Sequence, residues 1–512
     1  MEDKIFKSVS CNTNSIMNIF TTKEWVPSNE NKEKYAQYYT SKNIAEYMAS
    51  MFNEPKKEVI RIVDAGCGVG ILTAAFLQRL LTIKNIKVKK VIVLMYEIDN
   101  KVIEKLDSNM QLISKMCKNR GIEIKYKIEN QNFITSFTDL NDLNKRKKYD
   151  YAIMNPPYMK LNADSLDDIK LKQLGINVPN YYAAFVSLAK RLLIDKGELV
   201  AITPRSFCNG AYFVNFRQDL LNDMIFNKIH LFESRSEVFN EEDILQENII
   251  YHCIKKTPKR RYKISIIHSY NDSLKDMSIN KVFNDEIIFP NDDSLIIRIV
   301  KDDRDKEIIR KMQSLPCKLI DLNISVSTGP VVDFRQDKNK LQKSFMNNSI
   351  PYFFSEHLSL EGIEWPKKNV KKYNFIVCDK DNKSIMRNRG NYVLVRRMSS
   401  KEDKKRIVSC LCNSNKYKYN YYAFDNKINY YHNHKSGLPL IIAKGLNVFL
   451  NSSIVDRYFR IFSGNTQVNV TDLKSLNYPT ETQLHLLGER YDKIYYNQDL
   501  IDKTIEEILF LK

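Results

Sequence analysis

The sequence predicts an α/β protein in which a Rossmann-like domain precedes a second, mixed α/β domain. Residues 59–63 form an apolar run that leads into the glycine-rich stretch 64–73 and then a helical pattern, the first unit of a Rossmann fold. About seven such apolar runs alternate with helical segments over residues 35–255, which indicates a doubly wound sheet. The 512 residues exceed what one core usually holds, so a second domain is expected.

Four segments follow from these patterns. Residues 1–33 are polar and are expected to form an N-terminal arm, and residues 34–257 form the Rossmann-like domain. Residues 258–300 carry runs of Lys and Arg and are predicted to be a linker. Residues 301–512 form the second domain, which is predicted to end in a helix at 491–511.

Charge is distributed unevenly along the chain. The net charge is +19; residues 1–250 hold 35 Lys/Arg and 31 Asp/Glu, whereas residues 251–512 hold 45 and 30. An excess of basic residues in one domain favours a polyanion such as nucleic acid, bound mainly by that domain. Compositional drift in a Lys- and Asn-rich proteome explains part of the excess equally well, so charge alone leaves the partner open.

Composition excludes several classes of protein. Hydrophobic residues make up 43% of the chain, and no apolar run approaches the ~20 residues of a membrane span. The N-terminus has no signal-peptide pattern. Nine cysteines are scattered, and the closest pair, Cys410 and Cys412, has no second pair at zinc-ligand spacing. We therefore expect a cytoplasmic protein with reduced thiols, no metal and no membrane partner.

The glycine-rich turn predicts a site for an adenosyl amino acid. Gly66, Gly68 and Gly70 leave room for a ligand on the turn, but their spacing differs from the dinucleotide-binding pattern. Asp64 ends the strand directly before the turn, where its carboxylate can meet the ammonium group of such a ligand.

Three further positions are candidates for contacts to the same ligand. Thr40 or Ser41 is placed to cap the first helix, and such a hydroxyl can also bind a ligand carboxylate. Glu97 ends the second strand, where an acid can accept both hydroxyls of a ribose, whereas Asp99 is better placed as a helix cap. Asn132-Phe133 follows the third strand and can hold an adenine ring.

The residues Asn155, Pro156, Pro157 and Tyr158 follow a buried strand at 151–154. Two successive prolines cannot continue a sheet, so they hold the chain in an extended loop. The Asn155 side chain and a backbone carbonyl can accept hydrogen bonds from an exocyclic NH₂ group, and Tyr158 can stack on its ring. An ordinary turn is the alternative, and the neighbouring motifs favour the binding site.

In this order, the motifs resemble those of the gamma class of DNA adenine-N6 methyltransferases, the TaqI-like group. The resemblance covers the first domain and extends into the second. There, residues 328–335 and 464–469 resemble the target-recognition domains of the PstI/BsuBI- and XhoI-like members. It implies a Rossmann-like S-adenosylmethionine-dependent methyltransferase domain followed by a DNA target-recognition domain. Double-stranded DNA is the implied partner of a monomer, with a possible cognate restriction endonuclease acting separately.

The resemblance also implies the roles of individual residues. The residues around the target base would be Asn155, Pro156, Pro157, Tyr158 and Phe239. The residues around S-adenosylmethionine would be Tyr39, Thr40, Asp64, Gly66, Gly68, Glu97, Ile98, Asn132, Phe133 and Asn155. Asn132 stands where the family usually has Asp, which makes its role less secure than the others.

A mechanism follows from these roles. The target adenine must leave the duplex to be reached, and stacking on Tyr158 and Phe239 would offset part of that cost. Asn155 Oδ1 and the Pro156 carbonyl would accept the two N6 hydrogens, and the methyl group would transfer by in-line displacement. Because no covalent intermediate is needed, Cys67 in the glycine turn has no role.

Other interpretations remain. A fused nuclease would make the enzyme bifunctional, but only about 35 residues precede the first motif. A protein-glutamine methyltransferase shares the Asn-Pro-Pro-Tyr sequence but lacks a long basic C-terminal domain. A non-catalytic DNA-specificity subunit would not need Asn155 and Glu97. Cytosine N4 presents the same amino group as adenine N6, and adenine is favoured by the motif order and by Asn rather than Ser at position 155.

Overall fold

The structure is a computed structural model that describes residues 15–20, 40–233, 247–258, 261–271, 273–369, 371–495 and 497–511. The chain divides into two compact units, Met1–Ile299 and Val300–Lys512. Among the described residues, no helix is both long and apolar enough to cross a membrane.

The first unit alternates strands and helices along the chain. Its helices are α1 Lys42–Ser50, α2 Ile71–Thr82, α3 Asn100–Lys118, α4 Leu140–Lys145, α5 Leu166–Gln173, α6 Tyr181–Leu192, α7 Val214–Asp223 and α8 Asn284–Ile287. Its strands are β1 Val59–Ala65, β2 Lys90–Tyr96, β3 Glu123–Glu129, β4 Tyr149–Met154, β5 Leu193–Pro204, β6 Met224–Phe232, β7 Asn248–Lys255, β8 Lys263–Ser269 and β9 Ser278–Phe283.

These nine strands form one sheet in the order β3-β2-β1-β4-β5-β7-β6-β8-β9. Strand β1 is parallel to both β2 and β4, whereas β7 is antiparallel to both β5 and β6. Every residue of β4 is buried, as expected for a strand in the middle of a sheet covered by helices. The order places the carboxyl ends of β2, β1 and β4 side by side.

The Rossmann-like fold class predicted from the sequence is confirmed, but the predicted linker and the predicted end of the first domain were wrong. Residues 258–300 are not a linker: they contain β8 and β9, which extend the sheet beyond β6. The first unit accordingly runs to Ile299 rather than to residue 257. Of the two residues predicted as candidates for the cap of α1, Ser41 takes the role, because its hydroxyl accepts from the backbone N–H of Ile44.

The second unit is mixed. Its helices are α9 Asp303–Ser314, α10 Leu440–Leu450, α11 Ser453–Phe462, α12 Val470–Ser475, α13 Glu481–Ile494 and α14 Gln498–Ile505. Its strands are β10 Ser325–Thr328, β11 Leu341–Gln342, β12 Ser349–Phe353, β13 Leu358–Ser359, β14 Gly362–Ile363, β15 Phe375–Val377, β16 Arg387–Asn388, β17 Tyr392–Arg396, β18 Ser409–Cys412, β19 Tyr421–Phe424 and β20 Ile428–His432.

Among the described residues, the strands of the second unit form three separate sheets. One has the order β10-β20-β17-β18, another has the order β11-β15-β12-β19-β16, and β13 pairs with β14 alone. The single C-terminal helix predicted at 491–511 is wrong. Helix α13 ends at Ile494, and Asn497 begins α14 by accepting from the backbone N–H of Leu500.

Helices α10 and α13 pack against each other at two glycines. A Cβ atom on Gly445 would overlap the backbone carbonyl oxygen of Leu484, and one on Gly488 would overlap that of Ile441. Each glycine therefore lets its helix lie directly against the backbone of the other helix. Any larger residue at either position would push the two helices apart.

Gly445→Ala is expected to lower the free energy of unfolding by about 1–3 kcal/mol, because the added methyl group must displace α13. This reverses the usual sign, since Ala in place of Gly inside a helix normally stabilises it by about 1 kcal/mol. Chemical denaturation of the full chain measures the change. Glu489→Ala, at an exposed position beside Gly488, is the control and should change stability by less than about 0.5 kcal/mol. A more stable Gly445→Ala protein would contradict the packing argument.

Candidate active site

The glycine turn between β1 and α2 is shaped by left-handed backbone conformations. Gly66, Gly68 and Gly70 have φ angles of +73°, +53° and +88°, which residues with a Cβ atom rarely adopt. A Cβ atom on Gly68 would meet nothing within 4 Å, whereas one on Gly70 would lie 2.9 Å from Leu106. The turn is therefore packed against the protein at Gly70 and open at Gly68, where a ligand can approach the backbone.

The carboxyl group of Asp64 is fully buried beside this turn. Its Oδ2 accepts a hydrogen bond of 2.7 Å from the Thr73 hydroxyl, whereas its Oδ1 has no partner in the structure. Burial raises the pKa of Asp64 to about 7, and the Thr73 bond opposes this rise only in part. A buried carboxyl oxygen without a partner is costly, and a cationic ligand group would satisfy it.

Glu97 lies just beyond the end of β2 and is also buried. Its Oε2 accepts from the backbone N–H of Gly68 at 2.8 Å, and its Oε1 accepts from those of Ile98 and Asp99, both at 2.9 Å. Burial raises the pKa of Glu97, and these backbone amides lower it again in part. Because a carboxylate oxygen can accept two hydrogen bonds, Oε2 keeps capacity for a ligand hydroxyl. Ile98 is 45% exposed beside it.

Asn132 is held at both ends of its side-chain amide. Its Oδ1 accepts from the backbone N–H of Ile134 at 2.8 Å, and its Nδ2 donates to Asp167 on α5 at 3.0 Å. The Tyr181 hydroxyl donates to the other oxygen of Asp167 at 2.7 Å. Phe133, the next residue, is buried.

Phe133 belongs to an aromatic cluster rather than standing alone at the surface. Its ring centroid lies 4.8 Å from that of Tyr96, 5.5 Å from that of Phe137 and 5.2 Å from that of Phe185. Only 2% of the Phe133 surface is exposed, so the ring packs mainly within this cluster.

The loop after β4 contacts the residue before α1. Asn155 Nδ2 donates to the Thr40 hydroxyl at 3.0 Å, and the Tyr158 hydroxyl donates to Asn155 Oδ1 at 2.9 Å. The Tyr158 ring meets that of Tyr182 edge to face at 6.3 Å. Residues that are far apart in the sequence, Thr40 and Asn155, are thus brought into direct contact.

The structure therefore brings two pairs of predicted site residues from distant parts of the chain into direct contact. Thr40 meets Asn155, and Gly68 meets Glu97. Two predicted residues, Tyr39 and Phe239, lie outside the described residues.

Sequence reasoning missed two residues of this site. The Thr73 hydroxyl donates to the Asp64 carboxyl. Thr73 lies on the first turn of α2, nine residues after Asp64, and a hydroxyl residue at that position can be recognised from the sequence. Asp167 holds Asn132 from 35 residues further along the chain. No local pattern marks Asp167, because its role depends on where α5 packs.

Two observations bear on other chemistries. Burial raises the pKa of the Cys67 thiol well above its ordinary value, so the thiol stays protonated and is a poor nucleophile. Within the part of the chain that the structure describes, no group of three or more His, Cys, Asp or Glu residues is arranged to hold a metal ion.

Comparison with known proteins places this site in a family. Residues 73–239 match the Eco57I restriction-modification methylase family. The chain is 40% identical to the type II methyltransferase M.PstI of Providencia stuartii over 94% of each chain. It is 38% identical to the type II methyltransferase M.BsuBI of Bacillus subtilis, over 94% of this chain and 95% of that protein.

Among solved structures, the type IIL restriction-modification enzyme MmeI in complex with DNA aligns with 92% of this chain and 72% of its own, with a TM-score of 0.53 and 12% identity. At that identity, the likeness supports the fold alone. The resemblance to the PstI- and BsuBI-like enzymes is confirmed by the much closer sequence matches. A glycine turn, two buried acids and the Asn155 loop at one sheet edge thus occur in a chain that belongs to the family of type II methyltransferases that includes M.PstI and M.BsuBI.

Proposed function

We propose that this chain transfers a methyl group from S-adenosylmethionine to the exocyclic N6 of an adenine flipped out of double-stranded DNA, as the modification enzyme of a type II restriction-modification system. One observation carries the proposal. Three neighbouring strands, β2, β1 and β4, bring Glu97, Asp64 and Asn155 to one edge of the sheet. That edge is where open α/β sheets bind ligands.

The residues on the cofactor side fit S-adenosylmethionine. The unpartnered Oδ1 of Asp64 suits the ammonium group, and the open space at Gly68 suits the methionine chain. Since the Thr40 hydroxyl accepts from Asn155, its own hydrogen can be donated to the carboxylate. Glu97 Oε2 suits a ribose hydroxyl, and the exposed Ile98 suits one face of the adenine. When bound, the cofactor supplies an electrophilic methyl group on a sulfonium.

The residues on the base side fit an amino group on a flat ring. Asn155 Oδ1, which accepts from the Tyr158 hydroxyl in the free protein, is proposed to accept one N6 hydrogen, and the Pro156 carbonyl is proposed to accept the other. These two acceptors draw the nitrogen lone pair out of the ring and aim it at the methyl carbon. Transfer forms the N–C bond, breaks the S–C bond and releases one N6 proton.

The target base and the partners complete the proposal. We propose adenine rather than cytosine on the motif order and on Asn at position 155, and we propose stacking of the extruded ring on Tyr158. The enzyme would act as a monomer, with any cognate restriction endonuclease working as a separate protein. A non-catalytic specificity subunit is the competing function, and it would not need the buried acids at Asp64 and Glu97.

Sequencing of native DNA tests the reaction directly. Single-molecule sequencing of DNA from cells with and without the gene is expected to reveal one new motif that carries N6-methyladenine. A new motif that carries N4-methylcytosine would show that the target base is cytosine and not adenine. The proposed function would be wrong if no new motif appeared and if the purified protein transferred no methyl group from S-adenosylmethionine to DNA.

Asn155→Ala is expected to lower methyl transfer by at least about 10²-fold, because one acceptor of the N6 hydrogens is lost where charge develops. Binding of DNA and of S-adenosylmethionine should change far less, since Asn155 is a small part of either surface. Transfer of tritiated methyl groups to DNA measures the rate, and calorimetry measures cofactor binding. Asn162→Ala, at an exposed position in the same loop region, should leave both unchanged. A specificity subunit would behave identically with either substitution.

Affinity for S-adenosylmethionine is expected to depend on pH through Asp64. Its pKa of about 7 in the free protein means that the carboxyl must lose a proton before it can pair with the ammonium group. Affinity should therefore be about tenfold weaker at pH 6 than at pH 8, and binding at pH 6 should release a proton. Calorimetry in two buffers with different ionisation enthalpies measures both quantities.

Asp64→Asn provides the control for this pH dependence. The variant should lose affinity at every pH and should release no proton. The free wild-type protein should also lose stability as pH rises from about 4 to 7, because the folded-state pKa lies above the ~3.9 of an unfolded carboxyl. In the Asp64→Asn variant, the part of this loss of stability that comes from ionisation of Asp64 should be absent. An unchanged pH profile in Asp64→Asn would show that another group is responsible.

A further inference from the structure

The side chain of Asp167 connects two elements at the loop that follows β3. Asn132 Nδ2 donates to Asp167 Oδ1 at 3.0 Å, and the Tyr181 hydroxyl donates to Asp167 Oδ2 at 2.7 Å. Asp167 lies on the first turn of α5 and Tyr181 begins α6, so the three residues come from separate parts of the chain. All three are half-buried, which keeps them within reach of a ligand.

The loop that carries Asn132 is held beside Glu97. Glu97 N donates to Glu129 O at 3.2 Å at the end of the β2–β3 ladder, and Asn130 Nδ2 donates to Glu97 O at 3.0 Å. The loop therefore begins next to the residue that is proposed to bind the ribose. A ribose bound at Glu97 brings the attached adenine to this loop, which contains Asn132.

The contacts of the Asn132 amide favour one orientation. Its Oδ1 accepts from the backbone N–H of Ile134 at 2.8 Å, while its Nδ2 faces the Asp167 carboxylate. In the flipped orientation, the amide oxygen would face a carboxylate oxygen and the NH₂ group would face an N–H, so both contacts would be repulsive. The donor end of the amide is therefore bound by the protein, and the acceptor end keeps one lone pair for a ligand.

The residue opposite Asn132 has to accept hydrogen bonds on both of its sides. Asn132 supplies an N–H donor to one side, and Tyr181 supplies an O–H donor to the other. Burial, and after it the hydrogen bond to Asp167, raises the pKa of Tyr181 above its ordinary value, so the hydroxyl keeps its proton. A carboxylate has an acceptor on each side, whereas an amide has only one. An acid at position 167 therefore satisfies both donors.

The start of α5 is fixed independently of Asn132. The Ser165 hydroxyl caps the helix by accepting from the backbone N–H of Asp168 at 3.3 Å. The Asp168 carboxylate in turn accepts from Asp164 N at 2.9 Å and pairs with Lys172 at 2.8 Å. Because these bonds position the helix, the neighbouring Asp167 can impose an orientation on the amide that it contacts.

We propose that Asp167 is a positioning residue for the cofactor, because it fixes the Asn132 amide so that Oδ1 accepts from the amino group of the S-adenosylmethionine adenine. Asp167 acts through Asn132 and makes no contact with the ligand itself. The Asp that is usual in the family at position 132 can only accept, and Asp167 gives the amide the same property. This inference rests on the proposed function, because it takes the placement of the cofactor at Glu97 from there.

Two reaction-product analogues test the orientation of the amide. S-adenosylhomocysteine carries an amino group at the ring position that Asn132 is proposed to face, whereas S-inosylhomocysteine carries a carbonyl oxygen, which Oδ1 would repel. Wild-type protein is expected to bind the first at least about tenfold more tightly than the second. Calorimetric titration of the full chain with each compound measures the ratio of the two affinities.

Asp167→Asn is expected to lower that ratio by about threefold or more. The introduced amide has one acceptor, and the Tyr181 hydroxyl takes it, so its NH₂ group is turned toward Asn132. Asn132 is then favoured in the flipped orientation, in which its own NH₂ group suits a carbonyl oxygen. If Asp167 only stabilised α5, the affinities for both compounds would change together, and an unchanged ratio would overturn the proposal.

Exchange of the acid and the amide tests the same contact in reverse. Asn132→Asp alone introduces the residue that is usual in the family, yet it places two carboxylates in contact. Relative to wild type at the same pH, this variant is expected to bind S-adenosylhomocysteine about tenfold more weakly at pH 8. The deficit should shrink as pH falls, because the pair of carboxylates then takes up a proton.

The double variant, Asn132→Asp with Asp167→Asn, should restore binding. The introduced amide can donate to the introduced carboxylate and accept from the Tyr181 hydroxyl, so every donor again has an acceptor. Affinity for S-adenosylhomocysteine is expected within about threefold of wild type, with the preference over S-inosylhomocysteine retained. A double variant as weak as Asn132→Asp alone would overturn the proposal.

Asp107→Asn is the matched control. Asp107 on α3 accepts from the Tyr126 hydroxyl at 2.8 Å and from Gln111 Nε2 at 2.7 Å, so it also connects a tyrosine with a carboxamide. These three residues lie outside the proposed site, and the ratio of affinities should stay within about twofold of wild type. An equal fall of the ratio in Asp107→Asn would overturn the assignment to Asp167. Thermal melting of every variant shows that the proteins compared are folded.

Binding and methylation together separate this inference from the proposed function. If wild-type protein methylates DNA and Asp167→Asn keeps the full preference for S-adenosylhomocysteine, the inference is wrong and the function stands. If wild-type protein shows the expected preference, which Asp167→Asn loses, but methylates no DNA, the proposed function is wrong and the role of Asp167 stands. Wild-type protein that binds neither compound would overturn both.

Discussion

The parallel pairing of β1 with β2 on one side and β4 on the other is the constraint on which the site depends. Asp64 lies opposite Met95 of β2 and Ile153 of β4. Glu97 and Asn155 each follow two residues beyond those partners. The register of two ladders therefore sets Glu97 and Asn155 at one level along the sheet edge, two residues beyond the level of Asp64. A shift of one residue in either ladder would turn the strand side chains to the opposite face and separate the groups.

Burial of the Asp64 carboxyl in this arrangement costs free energy in the ligand-free protein, and a bound ligand can offset that cost. The fully buried Asp64 has one oxygen satisfied by Thr73 and one left unpartnered, and burial places its pKa near 7. Such a group opposes folding of the free protein once it ionises. Pairing with a cation would relieve the cost, so the same feature that weakens the empty site would strengthen cofactor binding. Perturbed acids of this kind are characteristic of functional sites.

Short sequence patterns predicted the turns and loops whose backbone conformation depends on only a few neighbouring residues. The Asp64 turn was recognisable because glycines at left-handed positions leave a mark in the sequence. The extended loop at Asn155 was recognisable because prolines end a strand. In contrast, the insertion of β7 between β5 and β6 and the addition of β8 and β9 depend on pairing between distant segments. The basic composition of residues 258–300 suggested a linker and gave no sign of that pairing.

Asn132 shows how such distant contacts can decide what a single residue is able to do. A carboxamide offers a donor end and an acceptor end, and its role at the proposed adenine pocket depends on which end faces the ligand. Asp167 takes a hydrogen from Nδ2, and Ile134 N–H binds Oδ1. Because both contacts favour the same orientation, the amide cannot flip without setting its oxygen against a carboxylate. Oδ1 keeps a second lone pair, so under the proposed role Asn132 accepts a hydrogen bond from the adenine amino group, as an aspartate at this position would. Asp167 fixes this orientation of the amide, because it accepts the hydrogen bond from Nδ2.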